Sequence, residues 1–154
     1  MSLHEPLTVA MIEPVGAHGG MDYYDTGLCD GLALANIKPI LYTSKPILLK
    51  MNEIVDVRLF YAAVFGDSPV VIRGALYLWA TMRSLFHAKL NGAKVCHLHF
   101  FHVGILEWFN VIVARMLGLK IVITVHDVQS FVEELSWPFF CEFFLLYCPS
   151  HSCT

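Results

Sequence analysis

The sequence predicts an α/β domain built on a Rossmann-like, doubly wound and mainly parallel sheet. Three apolar runs, residues 7–13, 94–100 and 120–125, have the length and the β-branched content of buried strands. Stretches with helical spacing separate them, and alternation of strands and helices favours a parallel sheet covered on both faces. A chain of 154 residues suits one such domain with one sizeable core.

The first half of the chain gives one helix and three strands. The strand at 7–13 stops at Pro14, and an amphipathic helix is expected over 21–37. The residues at helical spacing that form its apolar face are Tyr24, Leu28, Leu32 and Ala35. The aspartates fall on its other faces, at Asp22, Asp25 and Asp30. Two further strands are expected over 39–44 and 54–60.

The second half alternates helix and strand. Ser68 and Pro69 predict an N-cap and a first helical position, and the helix runs to Leu90 before Asn91-Gly92. After the strand at 94–100, a helix over 103–117 is apolar except for a stripe that looks solvated, formed by Glu107, Asn110 and Arg115.

The composition is unusually apolar, with 56% hydrophobic and 15% charged residues, where average soluble domains have about half and a quarter. An exposed apolar face would meet another domain, a subunit or a membrane. The net charge of −3 does not suggest a nucleic-acid partner. Five cysteines without CxxC spacing and no recognisable signal peptide predict a cytoplasmic protein rather than a zinc ribbon or a disulfide scaffold.

A membrane contact is the alternative to a fully solvated surface. Residues 95–117 are apolar but carry three histidines, a glutamate and an arginine, so they do not fit a spanning helix. On the helix after Pro69, three basic residues read as a solvated face. These basic residues are Arg73, Arg83 and Lys89. They also suit an anionic membrane surface, because the same helix carries the apolar residues Leu76, Trp79 and Phe86.

A glycine loop, Gly16-Ala17-His18-Gly19-Gly20, joins the first strand to the first helix. One interpretation is a tight turn in which glycines adopt positive φ. An equally good one is an anion-binding site, in which the glycines let the backbone N–H groups at the helix start approach the anion closely. Its spacing is neither the dinucleotide fingerprint GxGxxG nor the phosphate loop GxxxxGK[ST], which disfavours NAD-dependent oxidoreductases and P-loop NTPases.

Histidines follow two other strands. His126-Asp127 comes directly after residues 120–125, where parallel sheets bind ligands. There a histidine donates to a hydroxyl or phosphate, or moves a proton. His97 and His99 lie two positions apart on a strand, so we expect them to face the same side. Together with His102 they fit either partly buried histidines near a cleft or a zinc site, and the zinc site would need further ligands.

The residues resemble the opening of family 4 glycosyltransferases with the GT-B fold. One piece is IEPVGAHGGMDYYDTGLCDGLALANIKPILYTS, and the other is KVCHLHF with VARMLGLKIVITVHDV, so the likeness covers about residues 7–128. It implies transfer of a sugar from a nucleotide diphosphate donor to an acceptor, with no metal required; we expect no cofactor.

The resemblance also implies roles for single residues. Gly19 and Gly20 would approach the donor diphosphate, and His126 would be the catalytic residue that faces the donor sugar. Other residues are expected to line the cleft, namely Gly16, His18, Tyr23, His99 and Asp127, although Tyr23 also suits packing of the first helix. The acceptor is expected in this domain, residues 1–136.

From this resemblance we expect the chain to correspond to only one half of a complete transferase. The family's second domain supplies most of the donor site, and nothing here corresponds to it. The tail, residues 137–154, fits either a short buried or interfacial helix or sequence beyond the true domain. We therefore expect the isolated chain not to transfer sugar and to associate with itself or with a partner that supplies the second domain. The alternatives are a non-catalytic binding module and a small metal-dependent hydrolase using His97, His99 and His126.

Overall fold

The computed structural model of the protein describes residues 6–16, 20–101 and 104–126. These residues form a five-stranded sheet in the order β3-β2-β1-β4-β5, and every pair of neighbouring strands is parallel. The elements in chain order are β1 Leu7–Ile12, α1 Met21–Leu34, β2 Ile37–Tyr42, β3 Asp56–Arg58, α2 Val70–Leu90, β4 Ala93–Phe100, α3 Ile105–Met116 and β5 Lys120–Val125.

The sheet is wound in two directions from β1, which confirms the predicted fold class. The chain first builds β2 and β3 on one side of β1, then crosses with α2 to build β4 and β5 on the other side. The winding direction therefore reverses between β1 and β4. In open parallel sheets the crevice at the carboxyl ends of such strands is where ligands bind.

Side chains that alternate along the strands feed two separate cores. On one face, Val9, Met11 and Leu41 pack with Cys29 of α1. On the other face, Ala10, Ile12 and the alternate residues of β4 join the inward sides of α2 and α3 in the larger core. Strands buried on both faces need continuous apolar runs, and this is what made β1 and β4 recognisable in the sequence. Residues 120–125 do form a strand, β5, but it lies at the edge of the described sheet and none of its residues is fully buried, so its prediction as a buried strand was wrong.

Boundaries differ from the sequence prediction by a few residues. The third strand is Asp56–Arg58, shorter than the expected 54–60, and α1 ends at Leu34 rather than near residue 37. Helix α2 begins at Val70, with Pro69 as the N-cap in an extended conformation (φ −53°, ψ 148°). The prediction that Ser68 caps this helix and that Pro69 is its first residue was wrong by one position.

The polar stripe of α3 was also predicted wrongly. Glu107 and Asn110 are buried, and only Arg115 is exposed. Asn110 accepts a hydrogen bond from Thr81 (2.8 Å) and donates one to the Tyr77 hydroxyl (2.7 Å), both on α2. Asn110 therefore faces the neighbouring helix, where its buried amide is paired with polar groups of α2.

Within the described residues, no helix combines the length and the hydropathy that a membrane span requires. The tail at 137–154 lies outside the described residues, so the division of the chain at residue 136 stays a prediction.

Candidate functional site at the carboxyl edge of the sheet

The turn after β1 is held by a buried carboxylate. Glu13 has no exposed surface, and it accepts backbone hydrogen bonds from Val15 (3.1 Å) and Gly16 (2.7 Å). The Thr43 hydroxyl also donates to it, at 3.3 Å. Burial raises the pKa of Glu13 while these hydrogen bonds oppose the rise. Glu13 was predicted only as the end of a strand, and its role in fixing the loop was missed.

Gly16 is required by geometry. Its φ is +72°, and a Cβ at this position would collide with the Ser44 hydroxyl and lie 3.0 Å from the Lys45 nitrogen. Ser44 in turn donates a hydrogen bond to the Val15 carbonyl at 2.9 Å. The tight-turn interpretation of Gly16 is thus supported, because the residue brings the loop against the end of β2.

Helix α1 starts at Gly20, which is its N-cap in the left-handed region (φ 87°, ψ 7°). A Cβ placed on Gly20 would meet none of the described atoms within 4 Å, so the helix start is open on this side. None of the described side chains caps it, and Asp22 lies in the first turn. Backbone N–H groups at such a start attract anions, whereas the Asp22 carboxylate opposes them.

Three histidines gather on the α1 side of the sheet. The ring centroids of His97 and His99 are 4.6 Å apart, and those of His99 and His126 are 5.3 Å apart. The predicted same-side placement of His97 and His99 is therefore confirmed. His97 has a further partner, since its Nε2 lies 2.8 Å from the Thr124 hydroxyl on β5.

A buried pair, Asp25 and His99, lies under this cluster. Their side chains are almost fully buried, with Asp25 Oδ1 and His99 Nδ1 3.6 Å apart. Burial and the nearby Glu13 and Asp22 carboxylates raise the pKa of Asp25 to about 7. Burial, His97 and His126 lower the pKa of His99 to about 3. At neutral pH, His99 is therefore neutral and Asp25 is only partly ionised.

The sequence prediction placed Asp25 away from the packed face of α1, and this was wrong. The inward face of the helix is formed by Met21, Asp25 and Cys29, one turn apart, while Tyr24 is 40% exposed. The error arose because an aspartate was taken as a solvated residue. Only the histidine opposite it on β4 makes its burial understandable.

His126 lies above the pair at the rim of the sheet. Its backbone N–H donates to the Phe100 carbonyl at 2.9 Å, and its ring stacks on Phe101 with centroids 5.0 Å apart. Its other neighbour is Tyr24 in the first turn of α1, at 4.9 Å in an edge-to-face arrangement. Partial burial lowers its pKa, so its ring is neutral near pH 7. Its Nε2 makes no hydrogen bond within the described residues.

The structure thus brings together several of the predicted site residues. Gly20, His99 and His126 meet around Tyr24, and Gly16 lies in the same loop as Gly20. Tyr23 is 70% exposed, so it does not pack the helix as expected and remains open to a ligand. Gly19, His18, His102 and Asp127 lie outside the described residues.

A cleft of about 310 Å³ opens at the same edge, towards α2 and α3. Its wall is mostly apolar, with Arg73 and Glu107 as its charged members, and the Arg73 Nε is buried without a hydrogen-bond partner in the described part of the chain. The apolar lining comes from the loops and helix starts around it, including Val15, Val64, Phe65, Tyr77, Phe101 and Leu106. The cleft suits a ligand with an apolar body and one polar or anionic group.

The described residues hold no group of three or more histidines, cysteines and carboxylates that is able to bind a metal ion. Here His97 is hydrogen-bonded to Thr124 and His99 is packed against Asp25. The metal-dependent hydrolase alternative therefore receives no support from this part of the chain.

No protein-family model matches the sequence, and no curated protein matches it. Among solved structures, the chain is similar to the sucrose-phosphate synthase from Thermosynechococcus elongatus, with a TM-score of 0.60 and 14% identity. The match covers 86% of this chain and 36% of that one, so this chain spans little more than a third of its length. At this identity the likeness shows the fold alone, a glycosyltransferase-like, Rossmann-type α/β arrangement that corresponds to one half of a GT-B fold.

Proposed function

We propose that this chain is the acceptor-side, N-terminal domain of a glycosyltransferase that uses a nucleotide diphosphate sugar, and that it works with a second domain or partner subunit. The single observation that carries the proposal is the contact between His126 and Tyr24. It places the rim histidine beside the open start of α1, so a diphosphate at the helix and a sugar at the histidine would be neighbours.

In this proposal the helix start and Gly20 face the donor diphosphate, together with Gly19. Gly20 has space in front of it and a φ that other residues rarely adopt, which lets the backbone come close to phosphate oxygens. The Asp22 carboxylate in the same turn weakens this attraction. We therefore expect low affinity from this domain alone, with the second domain supplying most of the donor contacts.

His126 is the proposed catalytic residue. Its lowered pKa keeps the ring neutral near pH 7, so one nitrogen donates a hydrogen bond while the other accepts one. Stacking on Phe101 and the edge contact with Tyr24 fix the ring plane. A fixed, neutral imidazole suits a hydrogen bond to a hydroxyl of the donor sugar, and the mostly apolar cleft that His99 and Phe101 help to line suits the acceptor.

The first test is a titration of the isotopically labelled chain with UDP, GDP and ADP, followed by NMR. We expect a dissociation constant of about 1 mM or weaker, with shifts concentrated at the amides of Gly20, Met21 and Asp22 and at the His126 ring. His126→Phe keeps the ring stack but loses both nitrogens and should reduce the response. Glu53→Gln, at an exposed position before β3 that has no role in the candidate site, serves as the control.

Two results would remove the proposal. One is the absence of any shift at the start of α1 with all three nucleotides, and the other is an equal response to inorganic phosphate and to nucleotides. A transferase-derived binding module without activity would bind nucleotides in the same way. It is separated from the proposed function by measuring sugar transfer after a second domain has been supplied.

A further inference from the structure

The outward side of the α2–α3 layer is apolar where a solvated helix face would be polar. Its outward residues are separated by four or seven positions along each helix and have exposed fractions between 47% and 86%: Ile72, Trp79, Phe86 and Leu90 on α2, and Ile105, Ile112 and Met116 on α3. We call these seven residues the α2–α3 outer face. Both helices pack on the same core and are joined by the Asn110 hydrogen bonds, so the two stripes lie on the outward side of one layer.

The charged side chains of α2 all have one sign, and the exposed Asp67 lies in the loop before the helix. Helix α2 carries Arg73, Arg83 and Lys89 and no aspartate or glutamate over its 21 residues. Arg83 and Lys89 are exposed, and Arg83 lies with its guanidinium carbon 4.0 Å from the Phe60 ring centroid. Glu107, the acidic residue of α3, is buried. On the opposite side of the sheet, α1 contains Asp22, Asp25 and Asp30 and no basic residue.

We propose that the α2–α3 outer face docks on the surface of an anionic lipid membrane. An interfacial helix buries an apolar stripe among lipid headgroups, places tryptophan at the boundary and directs basic residues to lipid phosphates. Trp79 and Phe86 supply the apolar contact, and Arg83 and Lys89 lie in position for the phosphates. Juxtaposed basic residues each add binding free energy at an anionic surface.

A second copy of this chain is a poorer occupant of the same surface. In a twofold contact the same patch meets itself, so the basic residues that border the face would approach one another. Like charges across an interface oppose association. An anionic bilayer removes this repulsion and also accepts the apolar stripe. The proposal does not depend on sugar transfer, because it rests on a different surface from the one with the histidines.

The experiment is flotation of the full chain with vesicles of phosphatidylcholine alone or with about one third phosphatidylglycerol. We expect binding to the anionic vesicles only, weakened by added salt because charge attraction contributes. Lys89→Glu should lower the partition coefficient about fivefold, and Trp79→Ser about tenfold. Lys50→Glu and Leu48→Ser, at exposed positions of the loop before β3, are the matched controls and should bind like the unmodified chain.

A second readout identifies what covers Trp79. With Trp108→Phe and Trp137→Phe, Trp79 is the remaining tryptophan, and its fluorescence should be quenched by brominated lipids in the anionic vesicles. Trp79 that stays open to iodide in the presence of vesicles would overturn the proposal. Shielding of Trp79 from both quenchers would do the same, because it would show that protein, from a second copy or from the tail, covers the face.

Discussion

Glu13 shows how one buried carboxylate determines the shape of the loop at the site. Its side chain accepts hydrogen bonds from the Val15 and Gly16 backbone and from Thr43. Replacement by alanine leaves these donors without their partner, and a buried unsatisfied donor costs about 1–3 kcal/mol. The turn at Val15 and Gly16 therefore depends on a fully buried side chain.

We expect Glu13→Ala to lower the free energy of unfolding by about 2–4 kcal/mol. Urea denaturation followed by circular dichroism measures the change. Glu53→Ala, at an exposed position before β3, is the control and should change stability by less than about 0.5 kcal/mol. Equal effects of the two substitutions would contradict the role assigned to Glu13.

The Asp25–His99 pair makes stability depend on pH in two opposing ways. The pKa of Asp25 rises from 3.8 to about 7 on folding, so between these values the folded state holds a proton that the unfolded state releases. Its contribution to stability is therefore full at low pH and is lost as pH rises through about 7. The pKa of His99 falls from 6.5 to about 3, so its contribution is full above pH 6.5 and is lost as pH falls.

Asp25→Asn separates these two contributions. The variant keeps His99 and loses the aspartate, so its stability should rise with pH between about 4 and 6.5 more steeply than that of the unmodified chain, by up to about 1.4 kcal/mol per pH unit. Denaturant titrations at a series of pH values measure both curves. Parallel curves would show that the pKa of Asp25 is not raised in the folded protein.

At the scale of elements, α2 and α3 are joined by polar contacts in an otherwise apolar layer. Asn110 bridges Tyr77 and Thr81, and the Thr81 hydroxyl lies 3.0 Å from the Tyr61 hydroxyl. All four residues are buried. Such a network fixes the register of two helices, because sliding by one turn would leave each polar group without its partner.

A double-mutant cycle tests this connection. Asn110→Ala and Tyr77→Phe should each destabilise the protein, by about 2–3 and 1 kcal/mol. Their combined effect should be smaller than the sum by about 0.5–1 kcal/mol, because the two residues share a hydrogen bond. Trp79→Phe, exposed on the same helix, should add to Asn110→Ala without coupling. Additive effects in the first cycle would contradict the bridge.

The order and type of the elements were predictable because apolar runs and helical spacing belong to local sequence. Apolar runs gave β1, β4 and β5, and Asn91-Gly92 marked the end of α2 at Leu90. The burial of Asp25, Glu107 and Asn110 was not predictable in the same way. A polar residue on a helix is normally solvated, and only the partner from another element, here His99 or Tyr77, reveals that it faces inward.

The candidate site shows the same division. Gly16, Gly20 and His126 were found from the sequence because they directly follow strands or precede a helix, and the parallel topology brings such positions to one edge. Glu13 and Asp25 were missed, although they support the loop and the histidines. Their signal was present as carboxylates inside apolar patterns. Apart from the turn after Glu13, its meaning depends on contacts with Thr43 and His99, which lie 30 and 74 positions away along the chain.

At the scale of the whole molecule, the chain has the fold of one half of a two-domain transferase. It covers 36% of the sucrose-phosphate synthase that it resembles in fold. If donor and acceptor react between two domains, a single domain provides only one wall of the reaction site. Catalysis depends on holding both reactants in a narrow geometry, so the missing wall removes positioning as well as affinity.

The central claim is that this domain needs a second domain in order to transfer sugar. Its most direct test is an assay of sugar transfer by the purified chain alone. The assay offers UDP-, GDP- and ADP-sugars with a panel of acceptors, and His126→Phe is assayed beside the unmodified chain. The account predicts no transfer above the background of the heat-denatured chain, and hence no difference between the two proteins. Robust turnover by the chain alone, abolished in His126→Phe, would contradict it, because one domain would then suffice for catalysis.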